Sequence, residues 1–434
     1  MEQRTRQAGA RVSSWWTPRA LLVAFAMFVV VLYCSNAYLY FWWAGLSPVK
    51  PVHWYLVTLG VVALLIALRG GPVVPAWRVS RVVVWASASL LLYAFSFVFV
   101  SNAGPEALQT FIATAEPLLL LIAFILLLQE RVALRAAAYA LFLVVVGGVL
   151  LNYVDFFARH LVPTRMSLVP GRAAGLYLDA NVSGYTLAFG TLTSAWILPR
   201  RLRFAYCLFA ATGVFLTFSR SSIMLMALVI VAMSWYQWFA APRRWSVALS
   251  VAAIVIAGWA LAGGQWASGL QQAGLGRYLD ENTATRISGS FVGQNDDSTA
   301  DRLRVARRGI AAFLDAPLVG HGIGALNTRD LFTEPHNQYI VVAAEMGIIG
   351  LAMFLTGLVL IFRSGSDLGR MMAAAYAFGC MFLHFIPISP GIEVMLALTV
   401  AYGSVRAMPE DASVPPERIS PATSFRPSAA RTAV

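Results

Sequence analysis

The chain has 434 residues, of which 59% are hydrophobic and 12% charged, and its mean hydropathy is +0.70. Soluble domains carry about 25% charged residues, so this composition excludes a soluble globular protein and points to an integral membrane protein. The net charge of +12 sits in short connections between apolar runs, with no basic soluble face or motif of the kind that nucleic acid requires.

Taken in chain order, the apolar runs predict helices at 20–42, 54–68, 82–101, 107–128, 133–154, 182–198, 204–219, 221–240, 246–263, 339–362, 370–387 and 390–406. Each is read as a crossing of roughly 30 Å of hydrocarbon, and the period-2 alternation of a membrane barrel is absent. The expected fold is therefore an all-α polytopic membrane protein of about twelve transmembrane helices. Before the first run, MEQRTRQAGARVSSWW is basic like a signal n-region. The run after it is too long for an h-region and lacks a small-residue cleavage site, so it reads as a helix. The chain divides into spans one to nine (1–263), a loop domain (264–338), spans ten to twelve (339–406) and a Pro-, Ser- and Arg-rich tail (407–434) that reads as disordered.

Arginine sets the orientation. Arg4, Arg6, Arg11, Arg19, Arg69, Arg78, Arg81, Arg131, Arg135, Arg200, Arg201, Arg203, Arg243, Arg244, Arg363, Arg370 and Arg406 fall on one side of the expected spans. The positive-inside rule assigns that side, with both chain ends, to the cytoplasm. Cys34, Cys207 and Cys380 lie within spans and read as buried apolar groups, without disulfide or metal spacing.

Two connections on the outer side are long, from about Asp155 to Asn181 and from Gly264 to Gln338. In the second, Ser298-Thr299-Ala300-Asp301 reads as a capping box. Leu303, Ala306, Ile310 and Phe313 then recur at helical spacing until Pro317 and the glycines 320, 322 and 324.

The outer ionisable groups gather at helix ends. Arg172 lies in PGRAAG before the sixth span, Arg220 in LTFSRSSIM between the seventh and eighth, Arg302 at the head of the amphipathic helix, and His336 in EPHNQYI before the tenth. Outer arginines also snorkel to lipid headgroups, but a guanidinium fork held at such a site recognises diphosphate without a metal. Gly171 and Gly175 fit either a tight turn or close approach of the backbone to a ligand. Asp179 and Asn181 are candidate helix caps. His336 is the candidate general base, beside Asn337; its bland reading is a polar interface histidine. The acidic pairs Asp280-Glu281 and Asp296-Asp297 read as solvated loop, so no metal site is expected. Glu345, inside the tenth span, has two open readings: a buried partner for an outer arginine, or a packing group.

In combination these motifs resemble the O-antigen ligase family. The match rests on GR...G...N before a span, T-x-S-R at 217–220, an arginine opening a helix that ends in P-x-x-G-x-G, HNQY at 336–339 and AEMGIIG at 344–350. Asp301 stands before Arg302 where a serine is frequent, and an aromatic residue common soon after is missing. The resemblance implies a GT-C type transferase of the bacterial inner membrane with its active site on the periplasmic side. It implies a glycan donor linked to undecaprenyl diphosphate, the lipid A core as acceptor, and no cofactor. On that scheme His336 is the base, Arg172 and Arg220 are catalytic, and Arg172, Arg220, Arg302 and Asn337 bind substrate. Wzy-type polymerases and protein O-oligosaccharyltransferases share the wider family. A twelve-helix transporter is the reading from another class, but the longest connection here is outside and not a cytoplasmic linker between halves.

Overall fold

The computed structural model describes residues 18–68, 77–101, 104–159, 168, 171–240, 242, 245, 247, 248, 250–252, 297–328, 336–383 and 389–406. These residues are helical, with no strand among them. The helices are α1 (Pro18–Cys34), α2 (Ala37–Trp43), α3 (Pro51–Leu68), α4 (Trp77–Phe99), α5 (Pro105–Leu127), α6 (Arg131–Phe157) and α7 (Ala180–Ser194). After them come α8 (Arg200–Phe215), α9 (Arg220–Trp235), α10 (Asp297–Asp315), the short α11 (Ala325–Thr328), α12 (Gln338–Phe362), α13 (Asp367–Cys380) and α14 (Pro390–Arg406). Most of the ninth expected span, much of the 264–338 segment and the tail lie outside the described residues.

Among the described residues, five helices are long and apolar enough to cross a membrane: α3, the Arg81–Phe99 part of α4, α5, α6 and α12. A sixth crossing is formed if α1 and α2, bent by 54°, count as one. The continuous helix expected at 20–42 is thus broken. Asn36 takes a left-handed conformation at φ 60°, and the backbone carbonyl of Cys34 accepts the Tyr177 hydroxyl at 2.8 Å. Asn36 Nδ2 donates to Leu176 O at 3.2 Å. A break inside an apolar run is tolerated when freed backbone groups find partners in protein, and residues 176 and 177 supply them.

The helices at the expected spans 182–198, 204–219 and 221–240 are α7, α8 and α9, each only 15 or 16 residues long. Nearly every residue of α7 is buried, enclosed by α6, α8, α9, α13 and α14. A helix wrapped in protein has no hydrocarbon thickness to match. Close approach depends on small residues: a Cβ on Gly190 would stand 2.6 Å from Val145, one on Gly213 2.7 Å from Val149, and one on Gly184 2.5 Å from Ser222.

Contacts sort the helix ends into two faces. Arg19 Nε pairs with Glu130 at 3.2 Å, joining the start of α1 to the α5–α6 turn. Arg203 at the start of α8 donates to Leu198 O at 3.0 Å and covers the ring of Trp238 beyond α9. The opposite face holds the α1–α2 break, the 171–179 turn, the α8–α9 junction and the first turn of α12.

On that opposite face, α10 packs along α12, and the segment 317–324 is wedged against it. α12 is kinked at Gly347 (φ 63°, ψ −160°). Its displaced backbone groups are taken up there: Ile348 N donates to Pro317 O at 2.8 Å, His321 N to Ala344 O at 3.1 Å and Gly322 N to Glu345 O at 2.8 Å. On its other side, Ser101 Oγ donates to Ile323 O at 3.2 Å. A Cβ on Gly347 would lie 2.3 Å from the Leu318 carbonyl, so glycine is required by space as well as by φ. The amphipathic helix read from the sequence is present, with one correction: Ser298 falls inside α10, which starts at Asp297.

Candidate active site

Asp155, in the last turn of α6, organises the first part of the site. Its Oδ2 accepts the N–H of Ala174 at 2.8 Å and of Gly175 at 3.2 Å, and its Oδ1 accepts Arg159 Nε at 3.2 Å. The Asp155 side chain is fully buried, where an ionised carboxylate is tolerated only with such partners. Arg159 in turn donates to the carbonyl of Arg172 at 3.4 Å. The turn that carries Arg172 is therefore fixed from below. Gly171 and Gly175 both have positive φ, 73° and 55°, which glycine alone adopts readily.

Arg172 is buried, 4% exposed. Its Nε donates to Thr217 O at 2.8 Å, and its Nη2 donates to Asn181 Oδ1 at 3.0 Å. One side chain thus links the heads of α7 and α9. Asp179 is the cap of α7, accepting from Asn181 N and Val182 N. Asn181, the other capping candidate, instead accepts from Arg172.

Arg220 is the first residue of α9, half-buried, directly after the cap Ser219, which accepts from Ser222 N. Thr217, whose carbonyl receives Arg172, lies one turn before it. The Arg172 guanidinium therefore meets two helix N-termini, each end carrying a partial positive charge, and Arg220 opens the second of them.

His336 and Asn337 stand immediately before α12, both half-buried. Asn337 is the helix cap: its Oδ1 accepts from Tyr339 N at 3.0 Å and Ile340 N at 3.2 Å. The backbone around His336 is thereby set by its neighbour. Tyr339 donates its hydroxyl to Ala377 O at 2.9 Å, tying this end to α13. α13 also packs against α7 and α9 and so connects the histidine end to the arginine cluster. Arg302 lies in α10, and its side chain is outside the described residues.

Glu345, buried in α12, accepts the N–H of Gly324 on Oε1 at 2.9 Å. His321, given no role from sequence, has Nε2 2.9 Å from Ala312 O and 3.4 Å from Asp315 Oδ2. Asp155 and Arg159 also had no role from sequence; their i, i+4 opposite charges at the end of an apolar run were the available signal. Among the described residues no group of histidine, cysteine and carboxylate side chains has metal-holding geometry. The pairs at 280–281 and 296–297 lie outside them or have undescribed side chains.

These features define a multi-pass helical membrane protein with a cationic centre at the ends of short buried helices. Residues 205–355, from α8 into α12, match the family described as O-antigen ligase. The match takes in Arg220, Arg302, His336 and Asn337, while Arg172 precedes it. No curated protein sequence matches the chain. At family level the activity is that of glycosyltransferase-like ligases and polymerases acting on lipid-linked glycans in a membrane.

Proposed function

We propose that this protein is an O-antigen ligase of the GT-C type, lying in the bacterial inner membrane with its basic face and both termini in the cytoplasm. It transfers the polysaccharide from undecaprenyl diphosphate to a sugar hydroxyl of the lipid A core on the periplasmic side. The observation that supports this most is that Arg172 bonds the heads of α7 and α9, that Arg220 opens α9, and that His336 stands at the head of α12 inside the family match.

The acceptor hydroxyl oxygen attacks the anomeric carbon while the imidazole of His336 takes its proton. The bond from that carbon to the diphosphate oxygen breaks, and its electron pair leaves with the undecaprenyl diphosphate. Direct displacement inverts the anomeric configuration. Arg220, at the N-terminus of α9, stabilises the growing charge, with Arg302 as a second contact. Arg172, buried and hydrogen-bonded, contributes its charge from behind and holds the two helix ends in register. The chemistry needs neither a nucleotide sugar nor a metal.

The test is transfer by purified protein in EDTA, with undecaprenyl-diphosphate glycan and rough lipopolysaccharide, comparing wild type with His336→Ala and Arg220→Ala. A ladder of glycan on lipopolysaccharide from wild type, reduced about 10²- to 10⁴-fold in rate by His336→Ala, is expected. Growth of the carrier-bound glycan without transfer to lipopolysaccharide would replace the ligase by a polymerase.

A further inference from the structure

α10 carries more apolar surface than α12 covers. Val305, Gly309, Ala312 and the following Ala316 are buried or half-buried on the side towards α12. At 100° per residue, Leu303, Ile310 and Leu314 form a second stripe on the side of the helix turned away from that contact, with the half-buried Ala306 and Phe313 between the two. They are 52%, 47% and 68% exposed, and Leu318 just beyond the helix is 67% exposed. Arg304, Arg307 and Arg308, all exposed, occupy the remaining sector. The helix therefore has a wide apolar side and a narrow basic one, the pattern of a helix lying at a membrane surface.

Its depth is set by its ties. Pro317 O accepts the N–H of Ile348, in the third turn of α12, and Ala312 packs against the cluster containing Val341 and Ala344. α10 thus runs head to head alongside a helix long and apolar enough to span a membrane. Ile348 lies about 15 Å along α12 from its first residue, at 1.5 Å per residue. Leu314 and Leu318 are held near that level, while Arg304, Arg307 and Arg308 lie one to three turns back, towards the head of α12. Leu318 also continues a lipid-facing edge: its carbonyl receives Ile349 N at 3.5 Å, and Ile348 and Ile349 are about half exposed on the spanning helix.

We propose that α10 is an interfacial helix. Ile310, Leu314 and Leu318 insert among acyl chains, and Arg304, Arg307 and Arg308 bind the phosphates of anionic phospholipid in the same leaflet. Each arginine near such a surface contributes about 1 kcal/mol, roughly fivefold in lipid association.

The experiment needs no transferase activity. Nitroxides are attached singly at Leu314→Cys, Leu318→Cys and Arg308→Cys in protein reconstituted in bilayers; native Cys34, Cys207 and Cys380 are fully buried and do not compete. Labels at 314 and 318 are expected to collide with oxygen and be shielded from a water-soluble nickel chelate, with the label at 308 the reverse. Equal access of the chelate to all three would overturn the insertion. In a second arm, spin-labelled phosphatidylglycerol is expected to associate with wild type several-fold more than phosphatidylcholine, and about fivefold less with each Arg→Gln substitution at 304, 307 or 308. Equal association of the two lipids, an unchanged preference in the triple variant, or displacement by millimolar inorganic pyrophosphate would each remove phospholipid as the ligand.

Discussion

Asp155 and Ala174 are joined by a buried hydrogen bond of 2.8 Å that fixes the turn carrying Arg172. The same carboxylate oxygen also receives Gly175 N, and the other receives Arg159. Asp155→Ala leaves two buried N–H groups without this acceptor and removes the partner of Arg159. The expected cost is about 1–3 kcal/mol for each of the two buried N–H groups, with little added by the part-exposed Arg159. Asp155→Asn keeps an acceptor of the same shape and is expected to lose less. Thermal unfolding in detergent measures the difference. Phenylglyoxal labelling of Arg172, read by mass spectrometry, is expected to rise in the alanine variant only; equal protection in both would show that Asp155 does not hold the turn.

Much of the helix layout was legible because long apolar runs have few alternatives in a bilayer. α3, α4, α5, α6, α12 and α14 each overlap a run read from the sequence to within a few residues. The break at Asn36 was not, because no proline or glycine marks it and its compensation comes from Leu176 and Tyr177, some 140 residues away. The arginine cluster was legible in part. Polar residues interrupting apolar runs pointed to Arg172 and Arg220, but nothing local could say that Arg172 bonds to Thr217 and is enclosed. Asn337 shows the opposite failure: a cap three residues into a motif has a local signature, and proximity to His336 drew attention from it.

The kink of α12 rests on Gly347. Gly347→Ala meets both a positive φ and a Cβ position 2.3 Å from Leu318 O, in a region that is close to glycine-only. A loss of about 3 kcal/mol or more is expected, with the 317–324 segment released to protease. Gly147→Ala, in the interior of α6 with nothing within 4 Å of the new methyl, is expected to gain about 0.5–1 kcal/mol. Comparable unfolding midpoints for the two variants would contradict the role assigned to the kink.

Glu345 ties the same segment through one acceptor oxygen, Oε1 to Gly324 N at 2.9 Å. Glu345→Gln retains a carbonyl oxygen there, whereas Glu345→Ala leaves the N–H without it, at about 1–3 kcal/mol. Limited proteolysis should therefore cut the alanine variant within 317–324 first and spare the glutamine variant. If glutamine behaves like alanine, the charge of Glu345 matters more than this hydrogen bond, and an arginine partner is the better account of the residue.

Asn337 separates a capping role from a substrate role. Its Oδ1 already accepts two backbone N–H groups, from Tyr339 and Ile340, so Asn337→Ala is expected to lower stability by about 0.5–2 kcal/mol. Asn337→Ser and Asn337→Asp preserve a capping oxygen and should restore the unfolding midpoint. Because the cap also sets the backbone beside His336, the transfer rate at saturating substrate should follow stability across the three variants, with the apparent KM for the acceptor unchanged. A serine variant with a normal midpoint but a raised KM would mean that the amide contacts substrate as well, and that the nitrogen of Asn337, not its capping oxygen, is what the glycan meets.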